Sequence, residues 1–299
     1  MISYRSLLIV PASRVDVMFK AATRGADALI FDLEDSVAET ARDKARTNLF
    51  DVLGNAGPPV FVRVNNPTYG DTRADLRAVH GPRVAGIVVP KTDGPRDVLQ
   101  VEQLLTEAEE SGDREPGGIS LLPTIESCLG VHNCYEIASS SPRIRGIMLA
   151  SAEEGDLIVD LDARWSESAE ALAYSRGRVV CESRAAGIEW LVDGAFMNIT
   201  DTDALRREAI LARNMGYCCK MAIHPAQIAT INDVFTPSPE EIVRAERIVA
   251  VMREAEASGL GTVKDNGMMI DSANLKRAEA LLRRYTAAIN ITPVGKSPL

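Results

Sequence analysis

Five charged residues stand at or shortly after the ends of short apolar segments of the chain. They are Asp32, Arg63, Lys91, Glu126 and Asp156. Three of them carry carboxylates, which are the ligands that Mg²⁺ and Mn²⁺ prefer in proteins. A solvated loop charge explains any one of these positions alone. Five such residues, each following an apolar segment, indicate one shared site for metal-assisted chemistry.

Glu126 and Asp156 form the candidate metal site. They are separated by about 30 residues, the length of one β/α unit when a barrel of about 250 residues is divided by eight. Carboxylates at the ends of neighbouring parallel strands can converge on one cation, with water and substrate oxygens completing an octahedron. Zinc is disfavoured, because the three histidines show no paired spacing such as H-x-x-x-H.

Other charged groups leave alternatives open. Asp32, Glu34 and Asp35 either form a second metal site or support Arg63 or Lys91. Farther along, Arg176 and Arg178 either contact a phosphorylated ligand or lie on a solvated helix face.

Eight short apolar segments provide the strands that must position these residues. They span residues 7–10, 28–31, 60–64, 86–89, 119–122, 146–149, 188–192 and 221–223. Most are separated by segments with helical periodicity, and apolar strands without polar alternation are typical of a parallel sheet covered on both faces. Eight units predict an α/β fold, the (β/α)₈ TIM barrel. An open dinucleotide-binding sheet is disfavoured, because no G-x-G-x-x-G turn follows the first segment.

The last part of the chain exceeds what eight units require. Ser238, Pro239 and Glu241 form a capping box that predicts a helix to about residue 258. Gly259 and Gly261 follow, and a second helix is predicted near residues 275–285. We therefore expect a catalytic barrel over residues 1–258 and a C-terminal helical extension over residues 259–299.

Composition limits the function classes. The 299 residues are 46% hydrophobic and 25% charged, which suits a large folded core. The net charge of −9 argues against a nucleic-acid or acidic-membrane surface. No apolar run approaches the ~20 residues of a membrane span. We expect a cytoplasmic protein with no nucleic-acid or membrane partner.

Several short motifs, in order along nearly the whole chain, carry a resemblance to a known family. The segments are Arg5-Ser6 with Val10-Pro11, Phe31-Asp32-Leu33-Glu34-Asp35-Ser36-Val37, Val62-Arg63-Val64-Asn65, Val89-Pro90-Lys91, Pro123-Thr124-Ile125-Glu126 with Gly130, Lys220 with Ile223-His224-Pro225 and Gln227, and Gly267-Met268-Met269-Ile270-Asp271. The chain resembles the citrate lyase β-subunit-like proteins of the HpcH/HpaI aldolase superfamily, which include malyl-CoA and citramalyl-CoA lyases.

The resemblance implies a role for each motif residue. Glu126 and Asp156 would hold Mg²⁺, or Mn²⁺ in its place, and Arg63 would meet the keto acid. Asp271 would act as acid/base in the site of a neighbouring subunit, which implies a homotrimer or hexamer. We also assign Glu34 to the catalytic residues. The substrate-binding residues are Arg63, Glu126, Lys91 and Asp32.

The implied activity is a Mg²⁺-dependent carbon–carbon lyase. It would cleave a 3-hydroxyacyl-CoA of malyl or citramalyl type into acetyl-CoA and a 2-keto acid or glyoxylate, or run the Claisen-type condensation. The alternatives are a pyruvate-type class II aldolase without coenzyme A and a catalytically silent acyl-CoA-binding homologue. The stretch from Ser151 to Leu157 departs from the family pattern and leaves Glu154 as an alternative to Asp156.

Overall fold

Eight parallel strands close into a barrel in the computed structural model, which describes residues 4–291 except 56, 69, 70, 80, 113, 114 and 167. Each strand pairs with the next, and β8 pairs with β1 through Ser6 and Lys220. The strands are β1 (Ser6–Pro11), β2 (Ala28–Asp32), β3 (Val60–Arg63), β4 (Val84–Val89), β5 (Ser120–Ile125), β6 (Gly146–Leu149), β7 (Trp190–Asp193) and β8 (Cys219–Ala222). The predicted (β/α)₈ barrel and its eight strands are confirmed, with strand ends shifted by a few residues.

Helices follow the strands around the barrel. They are α1 (Val15–Ala21), α2 (Arg42–Leu53), α3 (Thr72–Arg77), α4 (Pro95–Ser111), α5 (Cys128–His132), α6 (Cys134–Ser139), α7 (Asp156–Asp160), α8 (Glu170–Ala185), α9 (Thr202–Met215) and α10 (Ile228–Phe235). Short 3₁₀ turns cover Glu39–Ala41 and Pro225–Gln227. All five residues of β2 are buried, as expected for strands covered by helices on one side and by the barrel interior on the other.

Aromatic rings fill one end of the barrel interior. The ring centroids of Phe61 on β3 and Trp190 on β7 lie 5.5 Å apart. Gly86 and Gly146 make room for them, since a Cβ on either glycine would lie 2.6 Å or less from a ring atom. Arg63 follows Phe61 by two residues on the same strand, so both side chains lie on the same face of β3. Arg63 is therefore nearer than Phe61 to the carboxyl end of the strand.

Contacts divide the chain into two compact units, one of which is Tyr4–Val234 with the barrel. The described part of the other unit, residues 235–291, contains α11 (Pro239–Ala257), β9 (Val263–Asp265), β10 (Met268–Ile270) and α12 (Ser272–Ile291). The predicted capping box of Ser238 and Glu241 is present. Helix α11 packs against α12, so its contacts group it with the elements that follow it and not with the barrel. The functional boundary after residue 258 stays a prediction.

One element of this second unit was missed. Strands β9 and β10 form an antiparallel hairpin, with Asn266 and Gly267 at its turn. Both turn residues have positive φ, 47° and 78°, as a type I′ turn requires. The Asn-Gly pair was the available signal. Among the described helices, none combines the length and apolar character needed to cross a membrane.

Candidate active site

A cavity of about 520 Å³ opens at the carboxyl ends of the barrel strands. Its lining includes both polar and apolar side chains. The polar lining residues are Asp32, Asp35, Ser36, Arg63, Thr124, Glu126 and Asp156. The apolar ones include Ile9, Ile30, Val88, Met148, Met197 and Met221. The barrel thus brings four of the five charged residues named first from the sequence to one cavity.

Arg63, at the end of β3, is held by three carboxylates. Its Nε lies 2.6 Å from Asp32 Oδ1 and its Nη2 lies 2.9 Å from Asp32 Oδ2, a bidentate pair. Its Nη1 lies 3.2 Å from Glu34 Oε2 and 3.4 Å from Asp35 Oδ2. Burial alone would raise the pKa of Asp32, but the bonds and charge of Arg63 hold that pKa below its ordinary value.

Lys91 contacts both the carboxylates beside Arg63, on Glu34 and Asp35, and the candidate metal ligands Glu126 and Asp156. Its backbone N–H donates to Glu126 Oε1 at 2.9 Å, and its Nζ contacts Glu34, Asp35 at 3.0 Å and Asp156 at 3.7 Å. Its φ of 48° lies in the left-handed region, which is unfavourable for a residue with a Cβ. Lys91 itself does not line the cavity.

The two candidate metal ligands share the cavity wall. Glu126 is 7% exposed, and burial raises its pKa, with the charge of Asp156 acting in the same direction. Asp156 is the first residue of α7, which begins after the positive-φ residue Glu154. The lining includes Asp156 and not Glu154. This placement favours Asp156 over Glu154 as the second ligand.

The donor set suits a divalent cation. Five carboxylates, on Asp32, Glu34, Asp35, Glu126 and Asp156, surround two cationic side chains, on Arg63 and Lys91. With all of them ionised, the group has an excess of negative charge that Mg²⁺ would largely neutralise. No cluster of three or more His, Cys, Asp or Glu ligands occurs among the described residues. Two carboxylates fill only part of the coordination shell of Mg²⁺, so a cation held by Glu126 and Asp156 would keep positions for substrate and water oxygens.

Glu34 lies behind the cavity wall. It is 7% exposed and contacts Arg63 and Lys91, but it does not line the cavity. Burial raises its pKa to about 7, although the charges of Arg63 and Lys91 act in the opposite direction. Of the two readings for Asp32, Glu34 and Asp35, the observed ion pairs favour support of Arg63 and Lys91. The catalytic assignment of Glu34 stays a prediction.

Asp271 lies in the second unit, where it caps a helix. Its Oδ1 accepts from the backbone N–H groups of Ala273 at 2.9 Å and Asn274 at 3.2 Å, at the start of α12. Its own N–H donates to Asn274 Oδ1 at 3.0 Å. The side chain is therefore held in a fixed orientation. Its predicted action in a neighbouring site stays a prediction.

Both interpretations of Arg176, as a phosphate contact and as a residue of a solvated helix face, are wrong. Arg176 is fully buried, and it pairs with Asp193 at 3.0 Å and with Glu208 at 2.9 Å. Lys220 pairs with the same two carboxylates. This network joins β7 and β8 to α8 and α9, so its role is structural. Arg178 donates to the Tyr174 hydroxyl and the His132 carbonyl.

Two polar lining residues were missed by reasoning from the sequence. Ser36 donates through its N–H and its hydroxyl to Asp32 Oδ2. Thr124 lies two residues before Glu126 on β5, and alternation along a strand was the signal that places both side chains on the interior face. Met148 and Met221 carried no signal of their own, because an apolar strand residue faces the interior or the helices with equal ease, and Met197 lies in the loop after β7.

Comparison with known proteins connects this geometry to one group of enzymes. The family model described as HpcH/HpaI aldolase/citrate lyase matches residues 5–225. Citrate lyase subunit beta of Leuconostoc mesenteroides subsp. cremoris is 32% identical, covering 95% of this chain and 93% of its own length. L-malyl-CoA/beta-methylmalyl-CoA lyase of Rhodobacter capsulatus is 31% identical, with 95% of each chain covered. Protein CitE from Mycobacterium tuberculosis, solved with magnesium, acetoacetate and coenzyme A, has a TM-score of 0.74 and 28% identity, over 94% of this chain and 97% of that one.

Proposed function

Because this chain belongs to the HpcH/HpaI aldolase/citrate lyase family, we propose that it is a Mg²⁺-dependent carbon–carbon lyase acting on a coenzyme A thioester. The substrate would be a 3-hydroxyacyl-CoA of malyl or citramalyl type, cleaved to acetyl-CoA and a 2-keto acid or glyoxylate. The observation that carries the proposal is the meeting of Glu126, Asp156 and Arg63 in one cavity at the carboxyl ends of the strands.

Glu126 and Asp156 would hold the metal. When bound there, Mg²⁺ supplies Lewis-acid polarisation of the keto oxygen and balances the negative charge of the site. A relative of this chain, CitE, is described with magnesium and with coenzyme A, which supports both ligands here.

The protein residues would orient the acid and exclude water. Arg63 presents a guanidinium whose plane is fixed by Asp32, so its remaining N–H groups can meet a carboxylate with little loss of side-chain freedom. Lys91 keeps Glu126 in place through its backbone N–H. Asp271 of an adjacent subunit would exchange the proton at the thioester α-carbon. The apolar wall below limits the room for water around the reacting carbons.

The test is turnover of malyl-CoA and citramalyl-CoA with and without Mg²⁺. We expect stoichiometric acetyl-CoA and keto acid, complete loss of activity with EDTA, and recovery on adding Mg²⁺. Cleavage of a 4-hydroxy-2-keto acid without coenzyme A would favour the class II aldolase. Release of free coenzyme A with the acyl carbon skeleton intact would contradict carbon–carbon cleavage. Tight acyl-CoA binding without turnover would indicate a silent homologue.

A further inference from the structure

The Thr124 hydroxyl lies in the cavity lining, on the same strand as Glu126. Thr124 is on β5, pairs with Met148 on β6, and is 5% exposed. Its Oγ1 is buried and has no hydrogen-bond partner among the residues that the structure describes. A buried hydroxyl without a partner is unfavourable by about 1–3 kcal/mol, so such groups in native proteins call for an explanation.

The surroundings of Thr124 direct this hydroxyl toward a ligand. The cavity lining also includes Ile30, Val88, Met148 and Met221, whose side chains offer no strong hydrogen-bonding group, and Met148 is the strand partner of Thr124. Glu126, two residues farther along the same strand, lies on the same face and nearer the mouth of the barrel. A small molecule that reached past Glu126 along this strand would meet the Thr124 hydroxyl.

We propose that Thr124 is a specificity-determining residue whose hydroxyl donates a hydrogen bond to an oxygen of the 2-keto acid. This inference rests on the proposed function. The keto acid would place its oxygens against Arg63, the metal site and Thr124, and its small apolar substituent among the methionines. Methionine side chains adapt to substituents of different shape, so Thr124 would provide the fixed polar contact of an otherwise adaptable wall.

The experiment compares four variants by calorimetric titration with pyruvate and with glyoxylate in the presence of Mg²⁺. Thr124→Val removes the hydroxyl at nearly constant volume, and we expect affinity to fall at least about tenfold. Thr124→Ser keeps the hydroxyl, and we expect affinity within about threefold of wild type. Thr47→Val and Thr47→Ser make the same two changes at an exposed position of α2 outside the cavity and are the matched controls, so their affinities should equal that of wild type.

The melting temperature without ligand is a second measurement. Removing a hydroxyl that stabilises the fold would lower it, whereas removing a hydroxyl that serves only the ligand would not. Since Thr124→Val removes an unpartnered hydroxyl, its melting temperature without ligand should equal or exceed that of wild type. A lower melting temperature with unchanged affinity would assign Thr124 to the fold and overturn the inference. A loss of affinity in Thr124→Ser as large as that in Thr124→Val would also overturn it, since a variant that keeps the hydroxyl would then bind no better than one that lacks it. If the wild-type protein with Mg²⁺ bound neither acid nor oxaloacetate, the proposed function would fail together with this inference.

Discussion

At the scale of single residues, the Arg63 guanidinium is oriented by the protein before a substrate carboxylate binds. The side chain is 15% exposed and is already fixed by both oxygens of Asp32. A lysine has no planar fork, so it cannot keep that pair and face a substrate carboxylate in a defined plane. What Arg63 contributes is orientation as well as charge.

We therefore expect Arg63→Lys to lose most activity. A fall in kcat/KM of about 100-fold would correspond to about 2.7 kcal/mol of lost transition-state stabilisation. Steady-state kinetics with malyl-CoA measures it, and circular dichroism checks folding. Arg14→Lys, at an exposed pair with Asp16, is the matched control. Normal kcat/KM in Arg63→Lys would show that its assigned role is wrong.

The metal ligands can be distinguished from their charged neighbour in the same loop. Glu126→Gln and Asp156→Asn should each weaken Mg²⁺ binding more than about 100-fold, beyond the effect typical of outer-shell partners. Glu154→Gln should bind Mg²⁺ as wild type does, because Glu154 does not line the cavity. Calorimetric titration with Mg²⁺ decides between them. If Glu154→Gln weakened Mg²⁺ binding and Asp156→Asn did not, Glu154 would be the second metal ligand.

Glu34 should leave a signature in the pH dependence of stability. Burial raises its folded-state pKa from 4.5 to about 7, so between these values the folded protein keeps a proton that the unfolded chain releases. The free energy of unfolding contributed by this group therefore falls as pH rises from 4.5 to 7. Glu34→Gln should flatten that part of the profile.

Urea denaturation at pH 4.5, 6 and 7.5 without divalent metal measures the effect. Glu153→Gln, at an exposed position, is the control. A profile that is unchanged in Glu34→Gln would mean that Glu34 is ionised in the folded protein throughout this range.

At the scale of elements, the functional groups depend on how each strand ends. β2 ends at Asp32, whose Oδ1 accepts the N–H of Glu34 at 3.0 Å and whose Oδ2 accepts that of Ser36 at 3.0 Å. This turn places Glu34 and Asp35 beside Arg63 from the next strand. β4 is followed by the left-handed residue Lys91, which reaches Glu126 with its backbone and Asp156 with its side chain.

Two substitutions separate the backbone and side-chain roles of Lys91. Lys91→Gly removes the ammonium group but accepts the left-handed conformation, whereas Lys91→Ala removes the ammonium group and keeps the backbone strain. We expect Lys91→Gly to be more stable than Lys91→Ala by about 1 kcal/mol, with activity reduced in both. Thermal and urea unfolding measure the difference. Equal stability would mean that the left-handed turn is not maintained in solution.

At the scale of the whole molecule, the second unit carries the residue for which we propose a role between subunits, Asp271. Its hairpin exposes Met268 and Met269, 53% and 67% accessible, directly before the helix cap at Asp271. The proposed acid/base role of Asp271 in a neighbouring site requires a closed oligomer in which each site uses two chains. That arrangement makes a quantitative prediction for mixed assemblies.

Glu126→Gln and Asp271→Asn, each inactive alone, should restore activity after dissociation and joint reassembly. In a ring formed from equal amounts, about a quarter of the sites would combine an intact Glu126 with an intact Asp271 of the next subunit. The control is a mixture of Glu126→Gln with Asp156→Asn, which damages the same half-site and should stay inactive. Absence of recovery despite proven subunit exchange would place Asp271 in its own subunit's site or outside catalysis.

Local patterns in the sequence were sufficient for the barrel and for the ends of its strands. Eight apolar segments, each followed by a polar or charged group, predict parallel β/α units and a shared rim, and Glu126, Asp156 and Arg63 follow from that rule. These signals lie within a few residues of each other along the chain, so they can be read without knowing the fold.

Only the tertiary structure decided which charged groups meet. Contacts between separate strands and helices determine the bidentate pair of Arg63 with Asp32 and the burial of Arg176. They also leave the Thr124 hydroxyl without a partner among the described residues. An arginine on a helix has the same local sequence pattern whether it faces solvent or a buried carboxylate. Whether it is buried, and which carboxylate it pairs with, depends on how distant segments pack together. The tertiary structure therefore decides both, and the local sequence does not.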